Sequence, residues 1–188
     1  MKCLVLLAGC GLGDGSCIEE VVLTYTALDK YHCEYTPAAE DVVVPSVDHM
    51  TERQGEPRNL LREAARIGRG RICELGEVAP GEYDALLIPG GIGLLANCGR
   101  SQAVSDIIGH FLSRKKPVGT MCAGIDFLRG ILGAELLQDS INGLSATDFC
   151  CDPETNVFYT PAFRKTGTCY DVLQGSDAMI CAMKESLK

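Results

Sequence analysis

Lys116-Pro-Val-Gly-Thr-Met-Cys-Ala-Gly-Ile125 is the stretch that decides the fold. An apolar strand runs over Pro117–Met121, Cys122 follows, two small residues come next, and a helix resumes from about Ile125. A strand-to-helix turn of this kind presents its apex side chain to the outside, and small neighbours give the tight backbone room. In open α/β sheets such turns lie at the carboxyl ends of strands, where sites form. The turn also aims helix N–H groups at the sulfur, which favours thiolate, the reactive form of cysteine. A cysteine that merely packs fits the same stretch.

The flanking sequence alternates strand and helix patterns. Cys3–Ala8 is a near-continuous apolar run, as expected of a strand covered on both faces. The Gly-rich loop Gly9–Gly15 follows, and Ser16 with Glu19 reads as a capping box before a helix over Cys17–Asp29. Cys33–Thr36 and Asp41–Val44 read as strands, Asn59–Gly68 as a helix, and Arg71–Leu75 as a short strand near an edge. Ala85–Ile88 is a buried strand that ends in Pro89-Gly-Gly-Ile-Gly93. Ser101 caps a helix to Arg114, residues 146–151 and 156–160 read as late strands, and Cys169–Lys184 as a terminal helix. This order predicts one α/β domain over 1–188, a three-layer sandwich with a mostly parallel central sheet and helices on both faces.

Composition narrows the function. The chain has 188 residues and a formal charge of −8, which argues against nucleic acid or an anionic membrane surface as partner. No apolar run is long enough to span a bilayer. The first strand starts beside Met1, which leads to the expectation of a cytoplasmic protein without a leader peptide. Eleven cysteines without one Cys-x-x-Cys pair suggest buried thiols in a reducing compartment, and no metal site.

Two further features surround Cys122. The glycines of Pro89-Gly-Gly-Ile-Gly93 let the backbone approach closely and aim N–H groups into a small cavity, so the Gly91 and Ala123 amides are candidates for an oxyanion hole. Glu20 lies in the first turns of the helix after the first strand, on the same sheet edge. Desolvated beside a sulfur, its carboxyl would carry a raised pKa and could donate to that sulfur or shuttle a proton. Gly90, Cys10, Asp14 and His49 are secondary pocket candidates; Cys10 reads either as a loop-packing residue or as a second thiol within reach of Cys122.

Taken together, Gly-Thr-Met-Cys-Ala-Gly around Cys122, Pro-Gly-Gly-Ile-Gly before it and Glu20 on the first helix resemble the DJ-one/PfpI superfamily. The resemblance is closest to the branch called enhancing lycopene biosynthesis protein, or isoprenoid-biosynthesis glyoxalase. Gly9–Ser16 with Glu20–Thr24, Arg58–Gly70 and Thr160-Pro-Ala162 also look like that branch. It implies a flavodoxin-like fold, a homodimer, Cys122 as nucleophile, Glu20 as its acidic partner and Gly91 in the oxyanion hole. The chain departs from the branch in being shorter between the Cys122 helix and Thr160, and in carrying Cys17 where an acid is frequent.

The resemblance implies glutathione-independent glyoxalase chemistry on a small 2-oxoaldehyde such as methylglyoxal or glyoxal, or the related deglycase activity, without a cofactor. A redox-sensing or chaperone-like role for the same oxidisable cysteine is the alternative. A Cys–His peptidase or amidotransferase is disfavoured, because none of the three histidines, at 32, 49 and 110, follows Cys122.

Overall fold

The apolar run that opens the chain becomes β1 (Lys2–Leu6), followed by α1 (Ile18–Lys30), β2 (Glu34–Ala39), β3 (Val43–Val47), β4 (Gln54–Asn59) and α2 (Leu60–Ile67). Next come β5 (Cys73–Glu74), β6 (Ala85–Ile88), α3 (Gln102–Ser113), β7 (Val118–Met121), α4 (Gly124–Leu132), β8 (Cys150–Asp152), β9 (Val157–Thr160) and α5 (Cys169–Glu185). This computed structural model describes residues 1–133 and 135–188.

Seven strands form the central sheet in the order β5-β2-β1-β6-β7-β9-β8. All pair in parallel except β8, which runs antiparallel along β9. Helices α1 and α5 pack together on one face, while α3 and α4 pack on β6 and β7 from the other. Strands β6 and β7 are buried along their whole length, which is why β6 reads as an unbroken apolar run and β7 carries one polar residue, Thr120. The fold is the flavodoxin-like α/β sandwich expected from the sequence.

The chain leaves β1 towards β2 and β5, then crosses back to place β6 on the other side of β1. The carboxyl ends of β1 and β6 therefore flank a topological switch point, the place where a crevice opens in such sheets. Glu20 follows β1, Gly90 follows β6 and Cys122 follows β7, so one rim collects all three.

Local differences from the sequence reading have physical causes. The cap of α1 is Cys17, not Ser16. The Ser16 hydroxyl is buried and accepts the Ala8 N–H at 3.0 Å, bridging the end of β1 to the helix start. Ser16→Ala leaves that amide buried and unpaired, so a loss of about 1–3 kcal/mol is expected in urea unfolding. The strand read at Asp41–Val44 is β3, displaced to Val43–Val47, and it pairs with β4 in a separate antiparallel hairpin. Strand β4, Gln-Gly-Glu-Pro-Arg-Asn, is mostly exposed and carries no alternation that would mark it in advance.

Candidate active site

Cys122 sits between β7 and α4 with φ of 49°, in the left-handed region that a non-glycine residue enters only when held there. Such a conformation costs on the order of 1–3 kcal/mol. The Cys122 N–H donates to the Thr160 carbonyl at 3.2 Å, and Thr120 Oγ1 donates to the Ile88 carbonyl at 2.9 Å, tying the turn to both neighbouring strands. The sulfur-bearing residue stays partly accessible while Met121 and Gly124 beside it are buried. This is the geometry of a nucleophile elbow.

Glu20 is fully buried in the first turn of α1. The Cys17 N–H donates to the Gly90 carbonyl at 2.8 Å and fixes the helix start against the loop after β6. The Glu20 carboxyl faces the Cys122 thiol and the Gly90 N–H, yet neither of its oxygens has a well-directed hydrogen bond to a protein group. A buried carboxyl left open in this way is poised for a ligand or a proton transfer.

Gly90 is the contact point of the pair. A Cβ built on it would strike Glu20 Oε2 and lie 2.8 Å from the Met121 carbonyl and 2.9 Å from Cys122 Cβ. Gly91, at φ of 127°, instead packs against the Gly15–Cys17 backbone. The Ala123 N–H is directed at the Cys122 sulfur. Loops 9–15 and 90–93 are laced together by Ile92 N–H to the Leu12 carbonyl at 2.8 Å and Gly93 N–H to the Gly15 carbonyl at 3.1 Å. Asn97, which sequence reading missed, donates to the Ala8 and Asp14 carbonyls at 3.1 and 2.8 Å and holds the same loops.

The electrostatics revise the expectation of a resting thiolate. Burial first, and then the Glu20 charge, push the Cys122 thiol up to about 11. The Ala123 N–H and Arg164 work in the opposite direction and do not prevail. Burial raises Glu20 to about 7, against the opposing pull of the Cys122 thiol and the Gly90 N–H. The resting pair near neutrality is thus a thiol beside a carboxyl that is losing its proton.

Of the secondary candidates, Cys10 and Asp14 line a small recess under the hairpin with Ser46, Arg58 and Glu63. Asp14 Oδ2 accepts the Val47 N–H at 2.8 Å. His49 Nε2 accepts the Gly13 N–H at 3.1 Å and its Nδ1 lies 3.1 Å from the Val47 carbonyl, so its proton resides on Nδ1. Both residues pin the first loop to the hairpin. His32 lies beyond the end of α1 and His110 in the last turn of α3, at the opposite end of the sheet from Cys122.

Three residues beside the pair were not singled out by the sequence. Arg164, in the short turn Ala162–Arg164 after β9, forms an ion pair with Asp126 on α4. The Tyr159 hydroxyl, whose polar neighbours include Arg164 and Cys122, is buried without a hydrogen-bond partner. The available signal was position: Asp126 lies one helical turn past Cys122, and Arg164 directly follows Thr160-Pro-Ala-Phe. Elsewhere, a cavity of about 620 Å³ lies between Tyr25, Tyr35, Arg69 and Arg71, and neither Cys122 nor Glu20 lines it.

Comparison with known proteins agrees with this fold. The chain is 27% identical to the rat (Rattus norvegicus) mitochondrial ES1 protein homolog, over 94% of the chain and 80% of that protein. It is 31% identical to the human (Homo sapiens) mitochondrial glutamine amidotransferase-like class 1 domain-containing protein 3, over 71% of the chain and 53% of that protein. A crystal structure of an isoprenoid biosynthesis protein with an amidotransferase-like domain from Ehrlichia chaffeensis superposes with a TM-score of 0.89 at 28% identity, covering 99% of this chain and 100% of that one. Drosophila melanogaster DJ-1beta shares the fold at a TM-score of 0.56 and 17% identity, with 99% and 97% of the two chains covered. The DJ-1/PfpI family model matches residues 19–135, a span that contains Glu20, Gly90, Gly91 and Cys122, and the chain belongs to that family.

Proposed function

We propose that the protein is a cysteine-dependent, glutathione-independent glyoxalase-type enzyme acting on a small 2-oxoaldehyde, with Cys122 as nucleophile and Glu20 as proton carrier. The observation that carries the reading is the buried Glu20 carboxyl, set against the thiol and without a well-directed hydrogen bond to a protein group. Ionised Glu20 takes the Cys122 proton as sulfur adds to the aldehyde carbon, giving a hemithioacetal. The oxyanion is received by the N–H groups of Ala123 and Gly91. After passing that proton to the oxyanion, the carboxylate takes the proton from the former aldehyde carbon and delivers it to the neighbouring ketone carbon through an enediol. Water cleaves the resulting thioester, so one water is consumed and a 2-hydroxy acid leaves. Deglycation of early aldehyde adducts uses the same first step, and a cytoplasmic homodimer is the assembly this reading takes.

Purified protein is expected to form lactate from millimolar methylglyoxal, with Cys122→Ser as the blank. Lactate at the level of the blank would refute the reading. A redox-sensing use of Cys122 is less favoured, because oxidation follows thiolate character and burial here holds the thiol protonated. The rat and human relatives are named as mitochondrial. Among the described residues no helix is long and apolar enough to cross a membrane.

A further inference from the structure

We infer that Arg164 makes the Cys122 site selective for 2-oxoaldehydes that carry a carboxylate. The placement is structural. Met121 and Thr160 are partners in the β7–β9 register, and the Cys122 N–H is bound to the Thr160 carbonyl, so the turn carrying Arg164 begins at the elbow itself. Asp126, in the first turn of the helix that Cys122 starts, anchors the guanidinium from the other side.

Within the cluster of Asp126, Arg129 and Arg164 the positive charges outnumber the negative by one. Asp126 faces two guanidiniums, those of Arg164 and, at 3.8 Å, Arg129. Arg129 also donates to the Leu136 carbonyl through Nε at 3.0 Å and Nη2 at 2.5 Å, which occupies its fork. Arg164 has one carboxylate in ion-pair contact among the described residues, that of Asp126. Its side chain remains about one third exposed, so part of a five-donor fork is open to a ligand. Arg164 also acts on Glu20 and Cys122, so its guanidinium is the cation that a ligand carboxylate at this site would meet.

A second, independent observation points to an oxygen-rich ligand. The Tyr159 hydroxyl, near both Cys122 and Arg164, is buried without a well-directed hydrogen bond and can donate to a ligand oxygen, and Glu20 can do the same while its carboxyl holds its proton. Methylglyoxal offers two carbonyl oxygens to this set. A 2-oxoaldehyde with a terminal carboxylate adds two acceptors and a charge that the guanidinium matches.

The selectivity presupposes carbonyl chemistry at Cys122 as proposed above. For 4,5-dioxopentanoate the sulfur adds to the aldehyde carbon and Glu20 transfers the proton to the ketone carbon. Hydrolysis of the thioester then releases 2-hydroxyglutarate. One water is consumed, and no external oxidant or reductant enters.

Two measurements test this separately from the enzyme reading. The first is the rate of Cys122 alkylation by iodoacetate against iodoacetamide, followed on the Cys122 peptide by mass spectrometry. The ratio is expected to fall about tenfold in Arg164→Gln, since one charge-assisted hydrogen bond is lost, and to be largely kept in Arg164→Lys. Equal losses for both reagents, or an unchanged ratio, overturn the inference and leave Arg164 as an element of structure. The second is kcat/KM for 4,5-dioxopentanoate relative to methylglyoxal, expected to fall about tenfold in the same variant. If both aldehydes turn over and their ratio ignores Arg164, the inference fails and the glyoxalase reading stands. If neither turns over but the alkylation ratio still depends on Arg164, the glyoxalase reading fails and the anion preference at Cys122 stands.

Discussion

Glu20→Gln is expected to lower kcat/KM for methylglyoxal by about 10²–10⁴-fold, the usual contribution of a positioned acid–base group. Burial and the neighbouring carboxylate hold the Cys122 thiol at about 11, so at neutral pH the sulfur depends on Glu20 to take its proton. Wild-type kcat/KM is therefore expected to rise with pH until Glu20 ionises at about 7 and then to level off. Glutamine cannot accept that proton, so the limb at about 7 is expected to disappear in the variant. A wild-type profile flat between pH 5 and 8 would contradict this assignment.

The same substitution is expected to stabilise the fold at high pH. Burial raises Glu20 from its usual 4.5 to about 7, so between these values the folded chain binds the proton more tightly than the unfolded chain. Stability then falls as pH rises through this window, and the loss is complete above about 7. A shift of this size corresponds to roughly 3 kcal/mol. Glu20→Gln is expected to recover most of that at pH 8 and little at pH 4, as read by urea unfolding at the two pH values.

Gly90→Val is expected to reduce activity by at least about 10²-fold, the penalty for displacing a catalytic group by about an ångström. Its Cβ would strike Glu20 Oε2, with the Met121 carbonyl at 2.8 Å and Cys122 Cβ at 2.9 Å, so acid and nucleophile are pushed apart together. Overpacking of this kind costs about 1–3 kcal/mol of stability, which leaves a folded protein in which the defect is chemical. Gly130→Ala is the matched control, since nothing lies within 4 Å of its added Cβ. There the change is expected to leave turnover as it was. Full activity in Gly90→Val would refute the close approach.

Much of the sheet was legible because its strands are covered on both faces. Ala85–Ile88 is apolar from end to end and its limits in the fold are those read from sequence. The elbow turn was legible as an apolar strand that ends in a cysteine and two small residues, a pattern that suits a strand-to-helix turn and that a packed cysteine also fits. Glu20 was found by its distance from β1 and by family resemblance, since many surface helices begin with a glutamate. The hairpin was obscure because β4 is polar and interrupted by Pro57, and its pairing depends on lying over the first loop. The protonated thiol was missed because sulfur burial is a property of the assembled rim, which counting helix N–H groups does not capture. Arg164 was missed for a related reason: its importance comes from Asp126, which lies 38 positions away in the chain.

The turn-rich stretch between α4 and β8 supplies neither the thiol, the acid nor the glycine between them. Among the described residues it is linked to the rim from the Leu136 carbonyl through Arg129 and Asp126 to Arg164. A change of length in that stretch is therefore expected to act on the rim through Arg164 and to leave Cys122, Glu20 and Gly90 where they are.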